Sequence, residues 1–113
     1  MNDVVLTVKT EHSVKGDISA FDNENKIYIK RVIAVGGDTL SIDQNGKVSV
    51  NGPASNESYV IELSLGNCDI QFPFQVPEGT YFVLGDNRPT ALDSRESTFG
   101  TIGRDQIIGK VIF

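Results

Sequence analysis

The sequence of 113 residues contains one cysteine, one histidine and no tryptophan. Cys68 therefore cannot form an internal disulfide, and as a nucleophile it would need a nearby base. His12 is the only histidine and is far from Cys68 in sequence, so we expect an incidental thiol and a surface histidine. A metal site would need further ligands beside His12 that the sequence does not show. The composition thus predicts neither a cysteine-based active site nor a metal or other cofactor.

Long apolar runs and clusters of basic residues are also missing. No apolar stretch is long enough to cross a bilayer, and no secretory leader follows Met1. Ten Lys and Arg against 15 Asp and Glu give a formal net charge of -5. Because phosphate binding relies on clustered cations, this balance argues against a nucleic-acid partner. The length is that of one modest core, and we expect residues 1–113 to form a single domain.

The apolar residues alternate as they do in strands, and no helical period of useful length is present. Asn45-Gly46 between two alternating runs predicts a hairpin. Tyr59–Leu63 and Asp69–Val76 are weaker strand candidates, the second with a proline that would place it at a sheet edge. We therefore predict a mostly β fold of coiled antiparallel sheets, Greek-key-like or barrel-like, with little helix. The clearer strand predictions are Val4–Val8, Ile18–Phe21, Ile27–Val35, Thr39–Asp43, Lys47–Val50, Tyr81–Leu84 and Ile107–Phe113.

The longest strand candidate, Ile27–Val35, carries one cation on each face. Alternation places Arg31 on one face and Lys30 on the other. Both faces are otherwise largely apolar, so we expect a central strand that is covered on both sides. Burial would lower the pKa of Lys30 and make its amine a general base near neutral pH, unless the stem packs on the sheet while the amine reaches water. Arg31 keeps its charge and would need a carboxylate partner.

Polar residues are densest in the segment that follows Tyr81–Leu84, from Gly85 to Arg95. It contains two acids, two arginines, an asparagine, two hydroxyl residues and a proline, with no helical period. This composition predicts a loop held by its own polar pairs. On composition alone it is either a structural loop braced by ion pairs or part of a functional site.

The order of residues in this loop, GDNRPTALDSR, resembles the Gly-Asp-Asn-Arg-x-x-Ser-x-Asp-Ser-Arg signature of bacterial type I signal peptidases. These are membrane-anchored serine proteases that remove signal peptides with a Ser/Lys dyad. The stretch Tyr28–Asp38, YIKRVIAVGGD, is similar to the family segment that carries the general-base lysine. Lys15-Gly16-Asp17-Ile18 is similar to an Arg-Gly-Asp-like turn of that family. The three segments occur in the family's order over nearly the whole chain.

The resemblance implies roles for individual residues. It assigns Lys30 as the general base, and it implies that Asp93, with Arg95 beside it, pairs with Arg31. This network would hold the loop in place without taking part in the chemistry. Residues of about 51–77 correspond to a short, cap-like, non-catalytic region. The other loop residues expected to support the site are Gly85, Asp86, Asn87, Arg88 and Ser94.

Two positions depart from the family pattern. The family's nucleophile lies in a Ser-x-x-Pro-Thr segment that is absent here, and we expect that segment and the membrane anchor to fall before Met1. The 113 residues alone are therefore expected to be inactive. The family's hydroxyl that orients the lysine is replaced by Ala91, so Thr90 or a water molecule would have to take its place. The serines near the recognised segments lack the flanking pattern of a nucleophile; they are Ser13, Ser19, Ser41 and Ser94.

The resemblance also implies partners and a location. The expected partners are signal peptides of exported preproteins, at the extracytoplasmic face of the cell membrane. The missing serine and Ala91 support an alternative, a signal-peptidase-like factor that binds exported segments without cutting them. A self-cleaving repressor, which has a similar Ser/Lys fold, agrees less well with the loop and would need a DNA-binding helical segment that the sequence does not show.

Overall fold

The computed structural model describes residues 5–6 and 14–112. The predictions for His12 and Ser13 lie outside these ranges, as do Val4, Thr7, Val8 and Phe113 of two predicted strands. No helix in the described ranges is long and apolar enough to span a membrane. In chain order the elements are β1 (Val5–Leu6), β2 (Ile18–Asn23), β3 (Lys26–Val35), β4 (Thr39–Ile42), β5 (Val48–Val50), β6 (Phe74–Gln75), β7 (Thr80–Leu84), β8 (Ile102–Gly103), a 3₁₀ turn (Arg104–Gln106) and β9 (Ile107–Ile112).

The strands form two antiparallel sheets. The larger one has the order β1-β9-β2-β3-β7-β8, and the smaller one has the order β5-β4-β6. β4 and β5 are the arms of the hairpin predicted at Asn45-Gly46, with Ile42 opposite Val48. Gly46 has a φ of 85°, a conformation that glycine adopts without steric cost. The predicted mostly β fold of antiparallel sheets is confirmed.

β7 lies at the centre of the hydrophobic core, with apolar clusters on both of its faces. Phe82 and Leu84 pack with Leu40 and other residues of the smaller sheet. Tyr81 and Val83 point the other way, into a cluster that includes Phe99. All four side chains are buried, as the apolar run Tyr81–Leu84 predicted. The polar loop that follows Leu84 therefore starts from a rigid, fully covered strand.

β3 is central in the sheet, but the prediction that it is covered on both sides is wrong for its first half. β7 pairs with β3 only from Arg31 onward, whereas β2 pairs with it from Lys26. The first half of β3 thus extends past the end of β7. Ile27 and Ile29, in this half, are 61% and 51% exposed. Lys30 lies where the covered half of the strand meets the open half.

The region of residues 51–77 is less regular than the sequence suggested. Tyr59–Leu63 forms no strand, because the chain turns there and Val60 N–H donates to Glu57 O. Only Phe74–Gln75 of the second candidate pairs, at the edge of the smaller sheet beside β4. Pro73, directly before it, has no N–H to donate to a ladder.

Candidate active site

The Lys30 amine is half-buried at the junction of β3 and the loop of residues 85–95. It lies in a groove of about 220 Å³ lined by Ile18, Ile29, Lys30, Arg31 and Asp86. Burial lowers the pKa of Lys30 from its ordinary value of 10.5; the Asp93 carboxylate opposes this shift and the Arg95 guanidinium adds to it. Among the described residues no hydrogen bond or ion pair engages this amine. A lysine in this position has more neutral amine near neutral pH than an exposed lysine has.

Gly85 makes room for the amine. A Cβ atom at Gly85 would lie 3.2 Å from Lys30 Nζ and 2.5 Å from the Cβ of Ala91. Contacts as short as the second are essentially never seen for real Cβ atoms, so a side chain here would displace either the lysine or Ala91. The glycine that begins the loop signature is therefore required mainly by the close approach of Ala91, and Lys30 Nζ adds a second tight contact.

The backbone of Gly85 is held at both ends by buried charged side chains. Its N–H donates to Asp93 Oδ2 at 3.0 Å, and its carbonyl accepts a hydrogen bond from Arg88 Nε at 2.8 Å. Asp93 and Arg88 are 0% and 1% exposed. Buried charges are costly unless they are paired and hydrogen-bonded, so these two side chains stay in place. They hold the Gly85 backbone in position next to the lysine.

Asp93 and Arg95 form the centre of the loop. Arg95 donates from Nε to Asp93 Oδ1 and from Nη2 to Asp93 Oδ2, both at 2.9 Å. Arg95 Nη1 reaches the Leu65 carbonyl at 2.7 Å. Ser94 exchanges two hydrogen bonds with the backbone of Val83: its hydroxyl accepts from Val83 N–H and its N–H donates to Val83 O. The loop is thereby joined to β7 on one side and to the region of residues 51–77 on the other.

The predicted pairing of Arg31 with Asp93 is wrong. Arg31 Nε and Nη2 donate to Asp86 Oδ1 and Oδ2 at 3.0 and 2.8 Å, which also raises the pKa of Arg31. The reason is the register of β3 and β7. Arg31 is opposite Leu84, so Asp86, two residues further along, comes within reach, while Asp93 is occupied by Arg95. A carboxylate of the loop does bind the arginine, but it is the first acid of the loop and not the second.

Glu57 and Tyr59 belong to the site although no sequence pattern singled them out. Glu57 receives both Nη atoms of Arg88, at 3.1 and 2.7 Å, and both of these side chains are almost fully buried. Tyr59 O–H donates to Glu57 Oε2, and the Tyr59 ring lies 3.8 Å from Arg31 Cζ. Burial and the Glu57 charge raise the pKa of Tyr59 to about 12. The one feature of the sequence that pointed to these residues was Arg88. A buried arginine needs a carboxylate partner, and no partner of Arg88 was evident in the sequence.

The hydroxyl residues considered as an orienting group or a substitute nucleophile for the lysine differ in exposure and position. Thr90 is exposed, and no hydrogen bond joins its side chain to Lys30 in the described part of the chain. Asn87, also exposed, uses its carbonyl to accept the N–H groups of Thr90 and Ala91 in a turn. Ser19 is directly opposite Lys30 in the β2–β3 register, but it is 0% exposed and so cannot reach a substrate carbonyl. Ala91, with its methyl group, is the loop residue next to the amine.

Comparison with known proteins identifies the family. A family model described as signal peptidase, peptidase S26, matches residues 1–113. The chain belongs to the bacterial type I signal peptidase family. It is 38% identical over an alignment of 126 residues to signal peptidase IB of Staphylococcus aureus, covering 96% of this chain and 64% of the relative.

Two further relatives extend the comparison. Signal peptidase I P of Bacillus subtilis subsp. natto is 36% identical over 104 residues, which is 84% of this chain and 55% of that relative. The crystal structure of a signal peptidase I from Enterococcus faecalis V583 superposes with a TM-score of 0.73 at 28% identity, covering 94% of this chain and all of that one. The chain thus spans 64% and 55% of the lengths of the two sequence relatives.

Proposed function

We propose that this chain is the lysine-bearing catalytic domain of a serine endopeptidase that removes signal peptides from exported preproteins. The observation that carries the proposal is the half-buried Lys30 amine, with its pKa lowered by burial, above a glycine held by two buried ion pairs. The family relationship supports the class of reaction. In this proposal the domain acts at the extracytoplasmic face of the cell membrane.

The chemistry assigned to Lys30 is proton transfer. The neutral amine accepts the hydroxyl proton of a serine as the serine oxygen attacks the scissile carbonyl, and the resulting ammonium protonates the departing amine. Water then attacks the acyl-enzyme ester, again losing its proton to Lys30, and the serine oxygen leaves with that proton. We propose that the nucleophilic serine belongs to a part of the full-length protein outside these 113 residues. The 113 residues alone are therefore proposed to be inactive.

The other loop residues are proposed to support the site and not to react. Asp93, Arg95 and Ser94 hold the loop on β7, and Arg88 fixes the carbonyl of Gly85. The open half of β3 supports binding of an extended peptide, because β7 does not pair with it before Arg31 and Ile27 and Ile29 are exposed there.

The test compares Lys30→Ala with Lys26→Ala in the full-length protein, using a preprotein substrate. Lys26 is on the same strand but at its exposed end. General-base catalysis contributes about 10²–10⁴-fold, so we expect Lys30→Ala to lower kcat by at least about 100-fold and Lys26→Ala to leave it within about twofold. Cleavage by Lys30→Ala at the parental rate would refute the proposal.

A second candidate function is binding of exported segments without cleavage. The methyl group of Ala91 beside the amine, in place of a hydrogen-bonding side chain, favours it. This function predicts that the full-length protein binds a signal-peptide substrate but never cleaves it. Turnover of that substrate by the full-length protein would exclude it.

A further inference from the structure

A second groove adjoins the one that holds Lys30. It has a volume of about 320 Å³ and is lined by Tyr59, Ile61, Glu62, Asp86, Asn87 and Pro89. Asp86 is also part of the wall of the Lys30 groove. The two grooves therefore share a wall residue, Asp86.

The walls of the second groove combine apolar surface with one unengaged carboxylate. Ile61 is 103% exposed and Tyr59 is 37% exposed, so apolar surface faces solvent here. Asp86 is neutralised by its two hydrogen bonds from Arg31. Glu62 is exposed, and within the described ranges no ion pair or hydrogen bond engages its side chain. Of the residues that the structure describes, no lysine or arginine lines the groove. Its surface thus complements a side chain that is apolar along its length and cationic at its end.

Two parts of the groove wall are held in place by contacts with residues outside the groove. Tyr59 is held between the Glu57 carboxylate and the Arg31 guanidinium. On the opposite wall, the turn of Asn87 is closed by its carbonyl, which accepts the N–H groups of Thr90 and Ala91. Tyr59 and the Asn87 turn are therefore held in place before a ligand binds, which favours a specific subsite over a passive surface.

We propose that this groove is a substrate subsite for a lysine or arginine side chain of the bound peptide. The aliphatic stem would lie along Ile61 and Pro89, and the cationic end would meet the Glu62 carboxylate. The inference rests on the proposed function, because the peptide reaches the groove only if it also lies across Lys30. Since the groove is on one side of Lys30, the preference belongs to a position on one side of the scissile bond.

The test measures kcat/KM of the full-length protein for peptides that carry Lys, Glu, Leu or Ser at each position around the scissile bond. The parent enzyme should prefer Lys over Glu at one position by about threefold to tenfold. Glu62→Lys should reverse that preference at the same position only. Ile61→Ser should lower the rates of the Lys and Leu peptides there relative to the Ser peptide. Leu63→Ser is the matched control: Leu63 is also exposed, on the same segment, but does not line the groove.

Three results would overturn the subsite. They are an unchanged Lys-to-Glu preference in Glu62→Lys, an equal loss for every peptide in Ile61→Ser, and the same change in Leu63→Ser as in Ile61→Ser. Lys30→Ala separates the two proposals. If Lys30→Ala still cleaves at the parental rate, the proposed function fails, whereas an enzyme that needs Lys30 but is indifferent to Glu62 refutes the subsite alone.

Discussion

Lys30 and Arg31 are adjacent cations in a β-sheet, where burying a charge costs free energy. The structure reduces that cost differently for each of them. Arg31 keeps its charge and receives both oxygens of Asp86. Lys30 has no such partner in the described part of the chain, and burial lowers its pKa. Strand alternation predicted that these side chains take opposite faces, and both contribute to the wall of one groove. Which acid binds Arg31 was not predictable, because it depends on the register of two strands about 50 residues apart.

The methyl group of Ala91 is the residue-scale feature whose effect is simplest to measure. Ala91 Cβ and Lys30 Nζ both lie near the position that a Cβ at Gly85 would take, so we expect a hydroxyl at residue 91 to orient the amine. A hydrogen bond worth about 0.5–1.5 kcal/mol corresponds to roughly twofold to tenfold in rate. We therefore expect Ala91→Ser in the full-length protein to raise kcat by about that factor.

Thr90→Ala is the control for this substitution. Thr90 is exposed and makes no hydrogen bond to Lys30 in the described structure, so we expect kcat to stay within about twofold of the parent. A fall in kcat in Thr90→Ala, together with no gain in Ala91→Ser, would mean that Thr90 already orients the amine.

At the scale of elements, the loop of residues 85–95 is an ion-paired structure built onto the end of β7. Its sequence predicted a loop braced by polar pairs, and the hydrogen bonds between Asp93 and Arg95 match that prediction. The sequence did not predict that the loop also binds the cap-like region, through the Arg95 bond to Leu65 O and the Arg88 pair with Glu57. Those contacts join residues about 30 positions apart that no local pattern connects.

Asp93→Asn tests whether the loop depends on this buried pair. The substitution removes the charge that balances the Arg95 guanidinium, and both side chains are 0% exposed. Breaking a buried ion pair on one side costs about 3–5 kcal/mol, so we expect a loss of that order in the free energy of unfolding, measured by urea denaturation. Asp22→Asn, at an exposed position in β2, should change it by less than about 0.5 kcal/mol. An unchanged stability in Asp93→Asn would contradict the structural role of the pair.

Glu57→Gln tests the connection between the cap-like region and the loop. It removes the charge that pairs with buried Arg88 and that raises the pKa of Tyr59. We expect a stability loss of about 3 kcal/mol. The pKa of Tyr59 should fall from about 12 toward its ordinary value of 10.0, as followed by NMR of the tyrosine ring. Glu24→Gln, an exposed turn residue, should change neither quantity. If Tyr59 titrates as in the parent, Glu57 does not act on it.

For the molecule as a whole, the position of the lysine follows from the relative lengths of two strands. β3 has 10 residues and β7 has five, so β3 extends beyond its neighbour and Lys30 lies at the boundary. Covered on one side by the core and open on the other, the amine is buried enough for its pKa to fall and exposed enough to meet a substrate. Apolar patterning predicted β7 as a buried strand, and it predicted β3 correctly except for its exposed first half. Apolar patterning could not predict the exposed first half of β3, because the pattern does not show where the neighbouring strand β7 ends.

The central claim is that neutral Lys30 is the general base, and its pKa is the most direct test. We would titrate the Lys30 side chain by NMR in the full-length protein and measure the pH dependence of kcat/KM on the same sample. Because only the neutral amine accepts a proton, activity should rise as pH increases through the lowered pKa of Lys30 and then level off. The account predicts that the kinetic and NMR midpoints coincide, below the ordinary value of 10.5. A Lys30 that titrates at its ordinary value, while activity is already complete at neutral pH, would contradict it.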